Sequence, residues 1–264
     1  MYTPESSNAL TRSESKDLWR NKNDKEKSKL SSMYIKSGHV LEIGCGTGQI
    51  LSKIKSKGFK VGVDYSNDRL KSSPFKNKIL FIRADVKSLP FTDNYFSNIV
   101  MSHFFHELIQ FEDKKNLKKT MYQILSKLKH RGRVIIIDHC DPGKGYINFE
   151  MNKKSLETYK IFKKKFKFYK KDPLENKNIY RLNNLQNFIT KIWSMGTDAE
   201  KLEMNEDHTL LDPNKIFLSL QKFGLKLIKI RKFGELNELS KFYKLSKSKK
   251  KLFKRQFCLV MEKN

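Results

Sequence analysis

The sequence has few cysteines, little arginine and no long apolar run, and each shortage narrows the protein class. Its three cysteines, Cys45, Cys140 and Cys258, are widely spaced and form no Cys-x-x-Cys pair. We therefore expect no disulfide framework and no metal site, which fits a reducing compartment. No apolar run approaches the roughly 20 residues that span a bilayer. The polar, mixed-charge segment 1–29 is unlike a signal peptide, so we predict a cytoplasmic location.

The chain is strongly basic, with a formal net charge of +27. Lysine supplies nearly all of it, and asparagine and isoleucine, which share A/T-rich codons with lysine, are also abundant. Arginine, which binds phosphates in bidentate fashion, is scarce. This pattern favours a lysine-rich solvated surface, and a nucleic-acid partner stays open but is not favoured. The basic segment 246–255 is interpreted as a solvated loop or helix, with peripheral contact to an anionic membrane as the alternative.

Short apolar segments alternate with amphipathic segments through the first half of the chain. The apolar segments have the length of strands, and the segments between them place apolar residues at helical spacing. Such alternation predicts βαβ units and a parallel sheet, with continuous apolar runs in strands that are buried on both faces. The predicted strands are 39–43, 59–63, 79–82, 98–101 and 133–137. We also expect Gly58 to cap the helix that follows the first strand.

The alternation of predicted strands and helices stops after residue 143, and we therefore divide the chain into four segments. Residues 1–36 form a helical extension and 37–143 the core. Residues 144–211 show no clear strand and are interpreted as a helical cap inserted into the fold. Residues 212–264 return to the core with a helix that begins at Asp212-Pro213 and two strands, 225–230 and 256–261. We expect those two strands to be antiparallel neighbours at the sheet edge.

A glycine-rich turn follows the first predicted strand, in the stretch Glu42-Ile-Gly44-Cys-Gly46-Thr-Gly48. Glycines here permit a tight turn, let the backbone approach a ligand and allow the helix to pack on the strand. The next helix begins at the turn, so its free N–H groups point toward the ligand. This turn is the centre of the predicted site.

Two carboxylates stand at the ends of the next two strands. Asp64 ends the second strand, where an acidic residue accepts hydrogen bonds from ribose hydroxyls, and Asp85 ends the third, where it could accept from an adenine amino group. A nicotinamide dinucleotide site is the competing interpretation. That fingerprint requires glycine where Gln49 stands, and Glu42 suits a ligand with a charged amino group better than a pyrophosphate.

The stretches VLEIGCGTG, VGVDYS, ADVKSLPF and NYFSNIV, over residues 39–138, resemble class I S-adenosylmethionine-dependent methyltransferases of the ubiquinone/menaquinone-biosynthesis group. The resemblance implies an α/β, Rossmann-like, doubly wound seven-stranded sheet, mostly parallel with an antiparallel edge strand. It also implies S-adenosylmethionine as cofactor. The glycines would line its methionine end, Asp64 would take the ribose, Tyr65 would pack on the adenine, and Asp85 with Val86 would read the base. The predicted cofactor-binding set is Glu42, Gly44, Cys45, Gly46, Gly48, Asp64, Tyr65, Asp85, Val86 and Ser102. Ser97 stands where the family usually has Asp, which weakens a structural contact.

Methyl transfer needs a general base only when the acceptor must lose a proton to attack. The stretch Ser102-His103-Phe-Phe-His106-Glu107 follows the fourth strand, at the edge where ligands bind. His106 is the candidate base, with His103 second and Glu107 as an orienting group. The alternative is that these histidines only begin the next helix. The segment Asp138 to Asp141 could touch substrate, although a polar turn explains it equally well.

The predicted cap has Phe162, Phe166 and Tyr169 on one helical face among lysines. The rings could form a lid over an apolar acceptor or a surface for RNA, but an amphipathic helix that packs on its own core is favoured. The sequence thus predicts a methyltransferase that acts on a small molecule, with an apolar or quinone-like acceptor as the more specific hypothesis. An RNA or protein methyltransferase and a catalytically silent cofactor-binding protein are the alternatives.

Overall fold

The computed structural model describes residues 14–171, 178–192, 194–197, 199–234, 243–244 and 255–264. Seven strands form the main sheet: β1 (Val40–Ile43), β2 (Lys60–Asp64), β3 (Leu80–Arg83), β4 (Phe96–Ser102), β5 (Leu128–His139), β9 (Leu225–Phe233) and β11 (Gln256–Lys263). Their order across the sheet is β3-β2-β1-β4-β5-β11-β9.

The five strands of the first half pair in parallel, from β3 through β5. All four residues of β1 are buried, as are Val134 to Ile137 in β5, because a strand between two neighbours and two helical layers meets no water. β9 and β11 are neighbours on the far side, and the sheet is mostly parallel with an antiparallel edge. The predicted fold class is confirmed.

This strand order places the chain reversal at the centre of the sheet. β1 continues into β2 on one side, whereas β4 lies on the other side of β1. The chain therefore leaves the carboxyl ends of β1 and β4 toward opposite sides of the sheet, and such a reversal point is where open α/β sheets bind ligands. The glycine-rich turn directly follows β1 and so lies at this point.

Nine helices lie in the described parts of the chain: α1 (Glu14–Tyr34), α2 (Gln49–Lys53), α3 (Asn67–Lys71), α4 (Phe105–Phe111), α5 (Lys114–Ser126), α6 (Lys153–Lys165), α7 (Leu182–Lys191), α8 (Glu200–Glu203) and α9 (Pro213–Gln221). α5 begins where the Asp113 carboxylate accepts from the N–H groups of Lys115 and Asn116. None of the helices searched among the described residues has the length and apolarity needed to cross a bilayer.

Gly58 does not cap α2, so that expectation is wrong. α2 ends at Lys53, and the next residue, Ile54, is already extended with φ −68° and ψ 129°. Gly58 instead packs against the backbone of Gly38, where a Cβ would overlap the Gly38 carbonyl group. The glycine is required by close approach of two loops.

The described chain divides into two units. The first comprises 14–138, Pro213–Arg231 and Phe257–Asn264, and it holds the main sheet. The second comprises His139–Asp212 and Lys232–Gln256, apart from its undescribed residues. The second unit has two small antiparallel pairs, β6 (Tyr146–Asn148) with β8 (Ile179–Arg181) and β7 (Glu150–Met151) with β10 (Tyr243–Lys244). The expectation of no strand between 144 and 211 is therefore wrong. The basic segment 246–255 lies outside the described residues except at Arg255.

The rings of the second unit form a core of their own. Phe162 and Phe166 are 0% and 4% exposed and stack on each other with centroids 4.8 Å apart. Tyr159 and Phe188 complete the same cluster, and Tyr169 packs against it. The favoured interpretation of α6, an amphipathic helix that buries its own aromatic face, is confirmed. Since Phe162 and Phe166 are enclosed, they do not present a stacking surface to RNA or a ring face to a ligand.

Candidate active site

The glycine-rich turn is a left-handed bend after β1. Gly44, Gly46 and Gly48 have φ values of 68°, 54° and 76°, which side chains rarely adopt. A Cβ on Gly44 would lie 2.6 Å from the Phe104 ring, and one on Gly48 would lie 2.7 Å from the Phe81 ring. These two glycines are thus required by packing as well as by backbone conformation.

Gly46 differs from the other two because its open side faces no protein. A Cβ there would find its nearest neighbour, the Cδ of Arg69, at 4.0 Å. The backbone at Gly46 is therefore the part of the turn that a ligand can approach closely.

Asp64, at the end of β2, contacts this turn directly. One carboxylate oxygen accepts from the Gly46 N–H at 2.7 Å, and the other accepts from the Ser66 N–H at 2.9 Å. The side chain is largely buried, so the two bonds hold it in one orientation. A carboxylate has about four acceptor positions, so two remain after these bonds. The sequence placed Asp64 and the glycines in one crevice, and the structure joins them by a hydrogen bond.

Glu42 lies in β1 beneath the turn. It is 2% exposed, and one of its oxygens accepts from the Leu51 N–H at 3.2 Å. Burial raises its pKa to about 8, and the nearby carboxylates of Asp24 and Asp64 add to the rise, against the lowering effect of the Leu51 hydrogen bond and of Lys27. The carboxyl group is therefore partly protonated at neutral pH and would ionise more readily beside a cation.

Cys45 is buried inside the turn. Its Sγ lies where a Cβ on Gly62 would come within 2.8 Å, so the thiol fills the space that the glycine of β2 leaves. Burial, followed by the charge of Glu42, raises the pKa of the thiol far above its ordinary value. The contacts of Cys45 are those of a packing residue in the turn.

Tyr65 and Asp85 lie at the carboxyl ends of β2 and β3. The register pairs Asp64 with Arg83, so the residues after them emerge side by side at the same edge. Tyr65 is 41% exposed, and the Arg83 guanidinium lies 5.5 Å from its ring centroid, over one face. Asp85 is exposed, and one of its carboxylate oxygens accepts from the Lys87 N–H at 2.9 Å. Val86 is half-buried beside it.

The turn after β4 is strained. Ser102 is buried at the strand end, and His103 has a φ of +53°, a conformation that non-glycine residues rarely adopt. The His103 N–H donates to the carbonyl of Ile137 at 2.8 Å, which ties this turn to β5. Strain of this kind persists only where the surroundings enforce it, and it is common beside binding sites.

His106 forms a buried pair with Asp138. The Nδ1 of His106 lies 2.8 Å from one carboxylate oxygen of Asp138, and the His106 N–H donates to the other at 3.0 Å. Both side chains are buried. The sequence predicted Glu107 as the orienting group, but the carboxylate that holds the imidazole at Nδ1 is Asp138, which the sequence indicated only as part of a polar turn. The predicted strand order could have indicated Asp138, because the carboxyl ends of β4 and β5 are adjacent in a parallel sheet.

Comparison with known proteins shows similarity to methyltransferases. Residues 41–136 match the family model of a methyltransferase domain. A demethylmenaquinone methyltransferase of Symbiobacterium thermophilum is 27% identical over 42% of this chain and 46% of its own length. A ubiquinone/menaquinone biosynthesis C-methyltransferase of Wigglesworthia glossinidia brevipalpis is 32% identical over 47% of this chain and 49% of its own length. The chain thus spans about half the length of the curated relatives it matches.

Solved structures share the fold over nearly the whole chain. An S-adenosylmethionine-dependent methyltransferase from Archaeoglobus fulgidus is 19% identical, with a TM-score of 0.52, over 92% of this chain and 94% of that one. A protein from Pyrococcus horikoshii is 15% identical, with a TM-score of 0.55, over the full length of both. The predicted resemblance to class I S-adenosylmethionine-dependent methyltransferases is confirmed, with the matched methyltransferase domain at residues 41–136, and S-adenosylmethionine is the cofactor of that class.

Proposed function

We propose that this chain, which carries a class I methyltransferase domain over residues 41–136, transfers a methyl group from S-adenosylmethionine to a small hydroxylated, quinone-like acceptor. The observation that carries the proposal is the hydrogen bond between the Asp64 carboxylate and the Gly46 N–H at the reversal point of the sheet. It puts an oriented carboxylate and an open stretch of backbone in one crevice.

The residues present fit the cofactor. Gly46 leaves space on its ligand side, and Asp64 keeps acceptor positions for two ribose hydroxyls. Asp85 and Tyr65 stand at the next strand ends, one as an acceptor for an amino group and the other as a ring for the adenine to pack on. The Glu42 carboxyl, buried beneath the turn, would lie near the methionine end of a bound cofactor, where a positive amino group or sulfonium would favour its ionised form.

S-adenosylmethionine supplies a methyl group that its sulfonium already activates, so the chain's contribution is alignment and proton removal. We assign proton removal to His106. The contact with Asp138 fixes the plane of the ring, and the tautomer in which Nδ1 donates to this carboxylate would carry the basic lone pair on Nε2. An imidazole held in this way can take the proton of an acceptor hydroxyl. His103, in the strained turn after β4, is the second candidate for contact with the acceptor.

The chemistry of a hydroxylated ring explains why a base is useful. An ionised hydroxyl donates electron density to the neighbouring ring carbons and makes them nucleophilic, whereas the neutral hydroxyl does so weakly. The names of two curated relatives, a demethylmenaquinone methyltransferase and a C-methyltransferase of quinone biosynthesis, support an acceptor of this type. Their identities of 27% and 32% support the class of ring and not a particular compound.

A labelled-methyl assay tests the proposal. Purified full-length protein is incubated with S-adenosylmethionine that carries a tritiated methyl group and with a panel of hydroquinones and naphthoquinols, and products are separated by chromatography. His106→Gln should lower kcat by about 10²- to 10⁴-fold, since it removes the base, while the affinity for S-adenosylmethionine should change little. His130→Gln, an exposed histidine at the opposite end of β5, is the matched control.

Asp138→Asn should lower kcat and change the pH profile, because an amide can stabilise the wrong tautomer of His106. Incorporation of label into RNA or protein with none into the quinols would reject the small-molecule acceptor. If His106→Gln turned over as fast as His130→Gln, the assignment of the base would be wrong even if the acceptor were right.

A further inference from the structure

Three aromatic rings are stacked at the edge of the sheet opposite the candidate active site. Phe59, His39 and Tyr95 each stand immediately before a strand, at the amino ends of β2, β1 and β4. The His39 ring lies between the other two, 5.2 Å from Phe59 at an angle of 13° and 4.9 Å from Tyr95 at 8°. The Phe59 N–H donates to Nδ1 of His39 at 3.0 Å, which fixes the stack.

The outer ring of this stack is open to solvent. Phe59 is 71% exposed, more than any other large apolar residue among those whose exposure is described, and Tyr95 is 39% exposed. A phenylalanine whose inner face is covered by a parallel ring and whose remaining surface meets water is a stacking platform. Isolated exposed apolar residues are common, but a fixed stack of three rings needs a further explanation.

The same edge carries a basic depression. It is wide and open, with a volume of about 690 Å³, and is lined by ten residues, five of which are lysines and none acidic. Lys53, Lys55 and Lys57 are exposed, and Lys57 and Lys60 flank Phe59 in the chain. Burial, and next the charge of Lys78, lowers the pKa of Lys60. The positive charge of the exposed Lys53, Lys55 and Lys57 at this edge would attract an anion.

We propose that this edge binds single-stranded nucleic acid, with a base stacked on Phe59 and phosphates against Lys53, Lys55 and Lys57. Proteins that bind single strands without sequence preference combine a basic groove with aromatic platforms in this way. The strands of the sheet separate this surface from the candidate active site by about 13 Å, the length of four extended residues. The nucleic acid would thus be held by this surface and not placed for methylation at the glycine-rich turn.

The geometry favours a nucleic acid over an anionic membrane. Peripheral membrane contacts insert projecting aromatic and apolar residues into the lipid, whereas the Phe59 ring lies parallel to His39. The lysines line a concave depression, which follows a chain of phosphates better than a flat surface does. The three parallel rings, with centroids near 5 Å apart, leave the outer face of Phe59 available for a nucleic-acid base to stack on.

Fluorescence anisotropy with a labelled 12-nucleotide oligoadenylate, measured on the full chain over a range of salt concentrations, tests the proposal. Phe59→Ala should weaken binding about tenfold, because it removes one base-stacking interaction, and Phe59→Trp should retain or strengthen it. Tyr122→Ala removes a ring of α5 that is 65% exposed and serves as the control, with binding expected to stay within about twofold. Phe59→Ala also removes the ring stacked on His39, so the thermal unfolding midpoint of each variant is measured and binding is compared well below the lowest of them.

The salt dependence tests the lysines separately. Replacing Lys53, Lys55 and Lys57 together by Gln should reduce the slope of log affinity against log salt by about 2, because each phosphate that a lysine neutralises contributes roughly 0.7 to that slope. The same replacement at the α5 residues 115, 118 and 119 removes equal charge elsewhere and should reduce the slope less. The proposal is overturned if the two triple variants behave alike, if Phe59→Ala matches Tyr122→Ala, or if Phe59→Ala abolishes binding to phosphatidylglycerol vesicles while oligoadenylate binding is unaffected.

Discussion

Replacing Glu42 by Gln should stabilise the protein without bound cofactor, and increasingly so as the pH rises. The folded-state pKa of Glu42, about 8, lies above the ordinary value of 4.5. The folded protein therefore holds this proton more tightly than the unfolded chain does. The favourable contribution is fully present below pH 4.5 and is lost as the pH rises through 8. At about 1.36 kcal/mol for each pKa unit, the total loss at high pH is about 5 kcal/mol.

Glutamine keeps the oxygen that accepts from the Leu51 N–H and cannot ionise. Between pH 6 and pH 8 the free energy of unfolding of the variant, relative to that of the wild type, should rise by about 2 kcal/mol. Urea unfolding followed by circular dichroism at both pH values measures this difference. Glu26→Gln, the same change on the exposed side of α1, is the control and should show no comparable rise. A difference that stays constant with pH would refute the argument that the buried carboxyl resists ionisation.

Three further predictions concern backbone conformation. His103 and Arg131 have positive φ values of 53° and 56°, so replacing either residue by Gly should leave the stability in thermal unfolding unchanged or raise it by up to about 1 kcal/mol. Only His103→Gly should slow methyl transfer. Equal activity of the two variants would exclude contact between His103 and the acceptor. Gly44→Ala should destabilise the fold by more than about 2 kcal/mol, because its Cβ would overlap Phe104. Gly46→Ala should cost about 1–2 kcal/mol yet abolish calorimetric binding of S-adenosylmethionine. Normal binding by that variant would show that no ligand approaches Gly46.

The central strands could be predicted because their sequences are largely apolar. Val134 to Ile137 are continuously apolar, Val40 to Ile43 are apolar apart from Glu42, and both segments are buried in the sheet. The proximity of the glycine-rich turn and Asp64 could also be predicted, because β1 and β2 are parallel and their carboxyl ends lie at the same edge of the sheet. The small strands of the second unit escaped detection, because two- or three-residue strands such as Glu150–Met151 have no measurable alternation.

The partner of His106 could not be identified from local sequence. Asp138 is 32 positions away, and only the pairing of Ser102 with Ile137 in neighbouring strands brings the two together. Gly58 was misassigned for a similar reason. Its position near the expected end of a helix suggested a cap, whereas the actual requirement is a contact with Gly38 that no sequence pattern indicates.

Isothermal titration calorimetry of S-adenosylmethionine against the wild type, Asp64→Ala and Asp138→Asn tests the central claim most directly. Heat from a single site should appear for the wild type and for Asp138→Asn. Asp64→Ala should weaken the affinity by at least about tenfold, because it removes the hydrogen bonds to the ribose and to Gly46, and each hydrogen bond to a charged group contributes about 1.5–3 kcal/mol. Equal affinity for all three proteins, or no binding by the wild type, would contradict the placement of the cofactor against Asp64 and the glycine-rich turn.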